Sequence, residues 1–499
     1  MAISDSGAPA SPLVPDRPGP AARWFVPIVV TLGVIAALIR AWQASRTELW
    51  FDEIFTLWVA RLPWREMFTA VANDVHPPLH FTIIKLWRSL GGESSLWIKL
   101  SSVLPGALTV AALAPIGRRM FGTGAGLIAA ALLAFNGTHV LVSQEARFYP
   151  WLALWVWLAA GLAWSWVDRP GRRTAIVFVV VEALGLYTHY LSGLAYAFLF
   201  LWGLAVLARE PRRIPAWIGL HVVVALLFAP QLPTLVHQVA RDTGEHWIRA
   251  ARPQALLSLS RRLAFSALYL IPLVAVLALV PLFRARQHRA AALVWIVTLP
   301  PVLLTFMLTH AGAHLFTERY MYWVIPGFCL LYGAALASIR PAWLAAVLTG
   351  ALMVQGVRTI TGPAFGEARE LAVATRYLEA HVAAGDQVLC VDTHSLTYIR
   401  QHGTRLPGAW LLWPTARVPY YDGALVIPGA WYRPPAALDS LTAAHTRWWG
   451  VRARRGDQDP HAADWRFIAA GGTPALQLSA IAVWRGPLPD SAAAESLAR

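Results

Sequence analysis

Apolar runs long enough to cross a bilayer alternate along this chain with short polar interruptions. They occupy residues 24–42, 98–117, 123–141, 149–167, 175–190, 191–208, 214–232, 264–283, 290–309, 320–337 and 341–358. A crossing helix needs about 20 mostly apolar residues. The pattern therefore predicts a polytopic α-helical membrane protein with about eleven transmembrane helices. The run 78–90 stands apart, because it is short and carries Lys85 and Arg88. It is expected to be a juxtamembrane or re-entrant helix that stays on one side. Residues 1–22 are rich in Pro, Ala and Ser and lack a cleavage signal, so a disordered cytoplasmic tail is expected there. Beyond about residue 360 the pattern changes. Residues 367–384 have a helical period, and 387–391 and 481–484 read as short buried strands. The expected organisation is a tail (1–22), a transmembrane domain (23–359) with its first outer loop at 43–97, and a small extracytoplasmic α/β domain (360–499).

Composition agrees with a membrane class. Hydrophobic residues make up 57% of the chain and charged ones 14%, with 25 tryptophans suited to interfacial belts. The net charge of +15 would suggest nucleic acid in a soluble protein. Here the arginines are grouped: Arg118-Arg119, Arg169 with Arg172-Arg173, Arg209 with Arg212-Arg213, Arg284 with Arg286 and Arg289, and Arg340. These groups fall in alternate loops, which assigns them to the cytoplasmic side and makes a nucleic-acid partner unnecessary. The alternation holds only if residues 78–90 do not span. Two cysteines, Cys329 and Cys390, give neither a disulfide framework nor a thiolate metal cluster.

The loops assigned to the outside collect the chain's unusual polar groups. Asp52 and Glu53 follow the first span, and Asp74 and His76 follow in the same loop. Arg147 and Tyr149 lie where the span 149–167 begins, with Tyr187, His189, Glu318 and Arg319 at later boundaries. A carboxylate can take a proton from a hydroxyl, while the planar fork of arginine suits phosphate. Each residue also has a plainer reading. Asp52, Glu53 and Asp74 would suit helix N-termini, and Arg147 would suit a snorkelling span end. Tyr187 and His189 would suit an aromatic belt, and Glu318 with Arg319 a local ion pair. No H-E-x-x-H or G-x-G-x-x-G stretch occurs, and the D-x-D at Asp457-Gln458-Asp459 is expected to be a solvated loop.

The order of these motifs is informative. D-E at 52–53 is followed by D-V-H-P-P-L at 74–79, S-Q-E-A-R-F-Y at 143–149, Y-T-H-Y at 187–190, and E-R-Y-x-x-x-x-x-P from Glu318 to Pro326. Over residues 24–358 the chain resembles the protein O-mannosyltransferase-like glycosyltransferases, family 39 and its bacterial relatives, which have the GT-C fold. The aminoarabinose transferases of lipid A are more distant cousins. The resemblance implies an inverting transferase of the bacterial inner membrane, and the basic loops put its N-terminus in the cytoplasm and its C-terminal domain outside. It would move a sugar from a polyprenyl-phosphate carrier to an acceptor hydroxyl on the outer face. Asp52 would be the general base beside Glu53, and Arg147 would contact the carrier phosphate. Tyr149 would add a hydrogen bond, Arg319 would reach the head group or sugar, and His76, Asp74, His189 and Glu318 would line the substrate. No cofactor is expected to be required, and a divalent metal is not indicated. A polyprenyl-lipid transporter or flippase and a non-catalytic membrane scaffold are the alternative classes. Clustered outward carboxylates speak against a scaffold, and the lack of matching halves speaks against a transporter.

Overall fold

A computed structural model describes residues 20–240, 248, 252–360, 366–412, 427–434, 436–444, 446–453, 467 and 470–486. Residues 1–19 of the expected tail, part of the loop 233–263, and the D-x-D at 457–459 lie outside the described residues. The first helix, α1 (Pro20–Ala44), carries an apolar window that begins at Arg23. Three short helices follow: α2 (Phe51–Arg61), α3 (Trp64–Ala72) and α4 (Leu79–Gly91). With thirteen residues, α4 is about 20 Å long and too short to cross.

The helical core continues with α5 (Ser95–Phe121), α6 (Thr123–Ala134), α7 (Gly137–Val142), α8 (Tyr149–Asp168), α9 (Arg172–Thr188) and α10 (Ser192–Leu207). It is completed by α11 (Ile214–Phe228), α12 (Leu232–Ala240), α13 (Pro253–Leu263), α14 (Ile271–Leu279), α15 (His288–His310), α16 (Ile325–Leu336) and α17 (Ala342–Ile360). Every apolar run of the sequence is helical, and the helices differ in length. Among the described residues six helices are of 18 residues or more and apolar enough to cross, and α13 with Leu268–Phe283 makes a seventh if that pair, bent by 77°, is one span.

Four of the eleven expected runs fall below that length. Residues 123–141 break at Phe135-Asn136, where the Asn136 side chain accepts from the His139 amide and starts α7. The next two, α9 and α10, have 17 and 16 residues. The run 320–337 opens as the 3-10 turn Glu318–Val324 before α16, which has 12 residues. Of these, α16 is buried along nearly its whole length, so its apolar surface is satisfied by neighbouring helices.

Small residues let the core helices approach. Gly122, at φ +102°, turns the chain from α5 into α6. A Cβ on Gly117 would meet the Gly126 backbone at 2.7 Å, and one on Gly126 or Gly333 would strike the backbone of α5 or α6. The arginine-rich loops meet at one end of this bundle. Arg213 donates to the carbonyls of Trp166 (3.0 Å) and Val167 (2.7 Å), and Arg289 lies over the rings of Trp164 and Trp202. The motif loops lie at the opposite ends of the same helices, α8 and α9.

The chain closes with α18 (Gly366–His381), α19 (Thr393–His402) and α20 (Ala436–Ala443) around a six-stranded sheet. Its strands are β1 (Gln387–Cys390), β2 (Trp410–Leu412), β3 (Tyr432–Arg433), β4 (Trp448–Ala453), β5 (Thr473–Gln477) and β6 (Ile481–Arg485), in the order β3-β2-β1-β4-β6-β5. The first four are parallel, and β6 and β5 are antiparallel. The strand order reverses direction at β1, whose carboxyl end leads into α19. There Asp392 caps the helix by accepting from the amide of Ser395 (2.8 Å). This α19 rests on α2. The Trp58 indole donates to Gln401 (2.8 Å), His402 meets the Leu49 carbonyl (3.0 Å), and His394 stacks on Phe51 with centroids 4.1 Å apart.

Candidate active site

The site is built on the first turn of α2. Trp50 is extended, and the Glu53 carboxylate folds back to accept from its amide at 2.9 Å. The other oxygen of Glu53 accepts from the Ala146 amide at 2.6 Å. Lys99 stands 3.9 Å away and is itself held by Thr47 and the Glu48 carbonyl. Burial raises the Glu53 pKa despite Lys99 and the two amides. Both Glu53 oxygens are thus engaged with backbone. Expected beside Asp52 as part of the chemistry, Glu53 instead joins α2 to the loop between α7 and α8.

That junction brings Arg147 to Asp52. One guanidinium nitrogen of Arg147 donates to the Asp52 carbonyl (3.2 Å) and to the Thr56 hydroxyl (2.9 Å), and Thr56 donates in turn to the Asp52 carbonyl (2.8 Å). Arg147 is 6% exposed, and its Nε has no hydrogen-bond partner among the described residues. Across the site, Arg319 Nη1 lies 3.0 Å from Asp52 Oδ2, with its guanidinium over the Trp50 ring. Burial alone would raise the Asp52 pKa. Arg147, Arg319, His394 and His76 outweigh it and hold the carboxyl below its ordinary value. Asp52 Oδ1 accepts no hydrogen bond among the described residues. The site therefore holds an ionised carboxylate with one oxygen fixed and one open, between two guanidinium groups.

The remaining expected residues fall into two groups. His76 is tied through Nδ1 to Asp74 (3.1 Å), and its ring belongs to an aromatic box with Phe148 (4.8 Å), His189 (5.6 Å) and Tyr320 (6.3 Å). Tyr149 joins this box at 4.5 Å from Phe148, and its buried hydroxyl has no partner among the described residues. Glu318 goes elsewhere. It bonds Ser258 (2.7 Å) and Arg262 (3.1 Å) of α13, so the local pair expected with Arg319 is replaced by two separate ones. Tyr187 donates to the Leu227 carbonyl (3.1 Å).

Three neighbours were not singled out from the sequence. Glu145 belongs to the same electrostatic cluster, and its carboxyl is pushed up to about 8 by burial, Glu53 and Asp52 against Arg319 and Arg147. Its signal was present, two positions before Arg147. His80, one turn after His76, is pushed down to about 3 by burial and by Arg147, and meets the Ala146 carbonyl at 3.2 Å. His394 comes from more than 300 residues away, and no local pattern announces it. Among the described residues no three His, Cys, Asp or Glu side chains form a group that holds a metal.

The model of the dolichyl-phosphate-mannose-protein mannosyltransferase family matches residues 75–237, the stretch that supplies His76, Arg147 and His189. Two crystal structures of ArnT from Cupriavidus metallidurans are similar over nearly the whole chain. One, bound to undecaprenyl phosphate, has a TM-score of 0.61 at 15% identity, covering 92% of this chain and 97% of that one. The other, in the apo state, has a TM-score of 0.62 at 14% identity, covering 94% and 98%. AglB from Archaeoglobus fulgidus, in complex with an inhibitory peptide and a dolichol-phosphate, gives 0.52 at 12% identity, covering 86% and 69%. No curated protein sequence matches. At these identities the structures show the fold, which is GT-C. The matched domain over residues 75–237 is similar to the dolichyl-phosphate-mannose-protein mannosyltransferases, and it sits in a chain with the GT-C fold.

Proposed function

We propose that this protein transfers a sugar from a polyprenyl-phosphate carrier to an acceptor hydroxyl at the outer face of a bacterial inner membrane, with inversion at the anomeric carbon. The observation that carries the reading is Asp52: ionised, fixed through Oδ2 by Arg319, and open at Oδ1 beside Arg147. The acceptor oxygen attacks the anomeric carbon as its proton passes to Asp52. The bond from that carbon to the phosphate oxygen breaks, and the electron pair leaves with the polyprenyl phosphate. The leaving group gains negative charge, so it calls for cations rather than a proton donor. Arg147 offers Nε, and Arg319 lies opposite. Tyr149 adds a hydroxyl, and His76 and His189 line the same space. The chemistry as drawn uses no cofactor and no metal.

The sidedness is part of the proposal. The arginine-rich loops gather at the end of the bundle away from Asp52, which supports a cytoplasmic assignment for that end and an outer one for the site and the C-terminal domain. Support for the carrier comes from the family match and from the ArnT and AglB structures with undecaprenyl phosphate and dolichol-phosphate. The test is Asp52→Asn in purified protein supplied with a polyprenyl-phosphate sugar. Loss of a positioned base costs about 10²–10⁴ in rate, so transfer should fall by that factor while the carrier still binds. Wild-type turnover in this variant removes Asp52 as the base.

A further inference from the structure

Between α9, α10 and α11 lies a group of buried polar atoms that the proposed reaction does not use. Glu182 of α9 is fully buried, and neither of its oxygens has a hydrogen-bond partner among the described residues. The hydroxyls of Tyr196 and Ser192 on α10 and Nε2 of His221 on α11 are buried without a partner in the same way. The Tyr196 hydroxyl lies against Gly185, three residues on from Glu182, where a Cβ would collide with it. His221 Nε2 lies 3.7 Å from Glu182 Oε2. The helices α8 and α4 also pack on α9, but among the described residues they supply Glu182 with no ion pair. The helix α11 belongs to an apolar stretch, Pro211–Ala240, long enough to cross a membrane. An ionisable side chain in such a setting is costly and calls for a partner.

The other nitrogen of His221 fixes its tautomer. Nδ1 lies 3.0 Å from the Trp217 carbonyl, which can only accept, so Nδ1 carries a hydrogen. In the neutral ring Nε2 then turns a lone pair toward Glu182. A bare carboxylate there would face that lone pair with no donor. The surroundings do not solvate charge: Phe178, Phe200 and Trp217 set their rings around the imidazole, with centroids 5.5, 4.8 and 4.5 Å away. An ion pair of carboxylate and imidazolium would need close hydrogen bonds to offset the lost hydration of two charges, and 3.7 Å is too long for one. A proton on Glu182 answers both difficulties. The acid O–H becomes the donor, Nε2 is the acceptor, and a small rotation of the carboxyl closes the gap.

We propose that Glu182 binds a proton inside the bundle and shares it with Nε2 of His221, so that the two residues form a proton-binding site separate from Asp52. The proton is a component of the contact between α9 and α11. It holds in place the helix that, seven residues and about 10 Å further on, leads to His189 of the aromatic box. The competing occupant is an alkali cation, which the oxygens of Glu182, Tyr196 and Ser192 could ligate. The assignment does not depend on the transferase reading.

The test is infrared difference spectroscopy on the full-length protein in nanodiscs at neutral pH. Wild type minus Glu182→Gln should show the C=O band of a protonated carboxyl, which shifts in heavy water. In His221→Phe, which keeps an aromatic ring and loses the acceptor, the band should persist and move to higher frequency. Exchanging potassium for sodium should leave it unchanged. Carboxylate bands in place of the acid band mean that Glu182 is ionised and overturn the proposal. An acid band that stays put in His221→Phe shows that the proton is not shared and overturns it as well. A band lost in sodium but present in potassium makes this a cation site instead. If Glu182→Gln does not fold, wild type minus His221→Phe decides: a displaced acid band supports the shared proton, and its absence removes it.

Discussion

At the scale of single residues, the site is defined by which charges are already engaged. Arg147 uses one nitrogen to hold Asp52 and Thr56 and keeps Nε uncommitted among the described residues. A hydrogen bond between charged groups contributes about 1.5–3 kcal/mol, so Arg147→Ala should weaken undecaprenyl phosphate binding about ten- to a hundredfold. Arg147→Lys should not restore it, because an ammonium cannot serve Thr56 and a phosphate with one planar fork. An unchanged dissociation constant for the alanine variant would remove the phosphate role. Glu145 gives a pH prediction. Its folded pKa, about 8, lies above the ordinary 4.5, so the folded protein binds more protons than the unfolded chain between those values. The stabilisation is complete below about 4.5 and is lost as pH rises through 8. Glu145→Gln should therefore show a flatter dependence of melting temperature on pH across that window, and parallel curves for the two proteins would exclude it. The sequence made Asp52, Arg147 and Arg319 legible because each stands at a span boundary, where charge is costly. It did not distinguish the open carboxylate of Asp52 from the engaged one of Glu53. That difference depends on the Ala146 amide, which only folding brings to α2.

At the scale of elements, α2 is clamped from two sides. The loop before α8 holds its first turn through Glu53 and Arg147, and α19 covers its other face through Gln401, His402 and His394. The loop in turn depends on close helix packing beneath it, where α6 lies against α5 and α16 through Gly117, Gly126 and Gly333. A side chain on Gly126 collides with the Ala114 carbonyl, so Gly126→Leu should lower the melting temperature by several degrees or prevent folding. A thermal scan matching the wild type would show that the helices separate at no cost. Element positions were legible, because apolar runs mark helices whatever their surroundings. Their lengths were not, because a run enclosed by neighbours and one facing lipid look alike in sequence. The split at Asn136 and the 3-10 turn before α16 both fall inside apolar windows. The strands β1 and β6 were visible as short apolar runs, whereas the pairing of β1 with β4 and the seating of α19 on Phe51 are contacts distant in sequence.

At the scale of the whole molecule, the chain is a helical bundle whose two ends differ in chemistry. One end gathers arginines around the last turn of α8. The other gathers Asp52, Arg147, Arg319 and the aromatic box, with the sheet set above α2. That polarity was readable from the alternation of basic loops, and it requires α4 not to cross, as its thirteen residues indicate. On the proposed reading, the end that holds Asp52 receives a lipid-linked phosphate beside a ready base. The most direct measurement is a structure of the membrane-embedded protein with undecaprenyl phosphate bound. The phosphate is expected between Arg147 and Arg319, bonded to Arg147 Nε, with Asp52 Oδ1 facing the space where the anomeric carbon would lie. A phosphate seated away from Arg147, or at the arginine-rich end of the bundle, would contradict it.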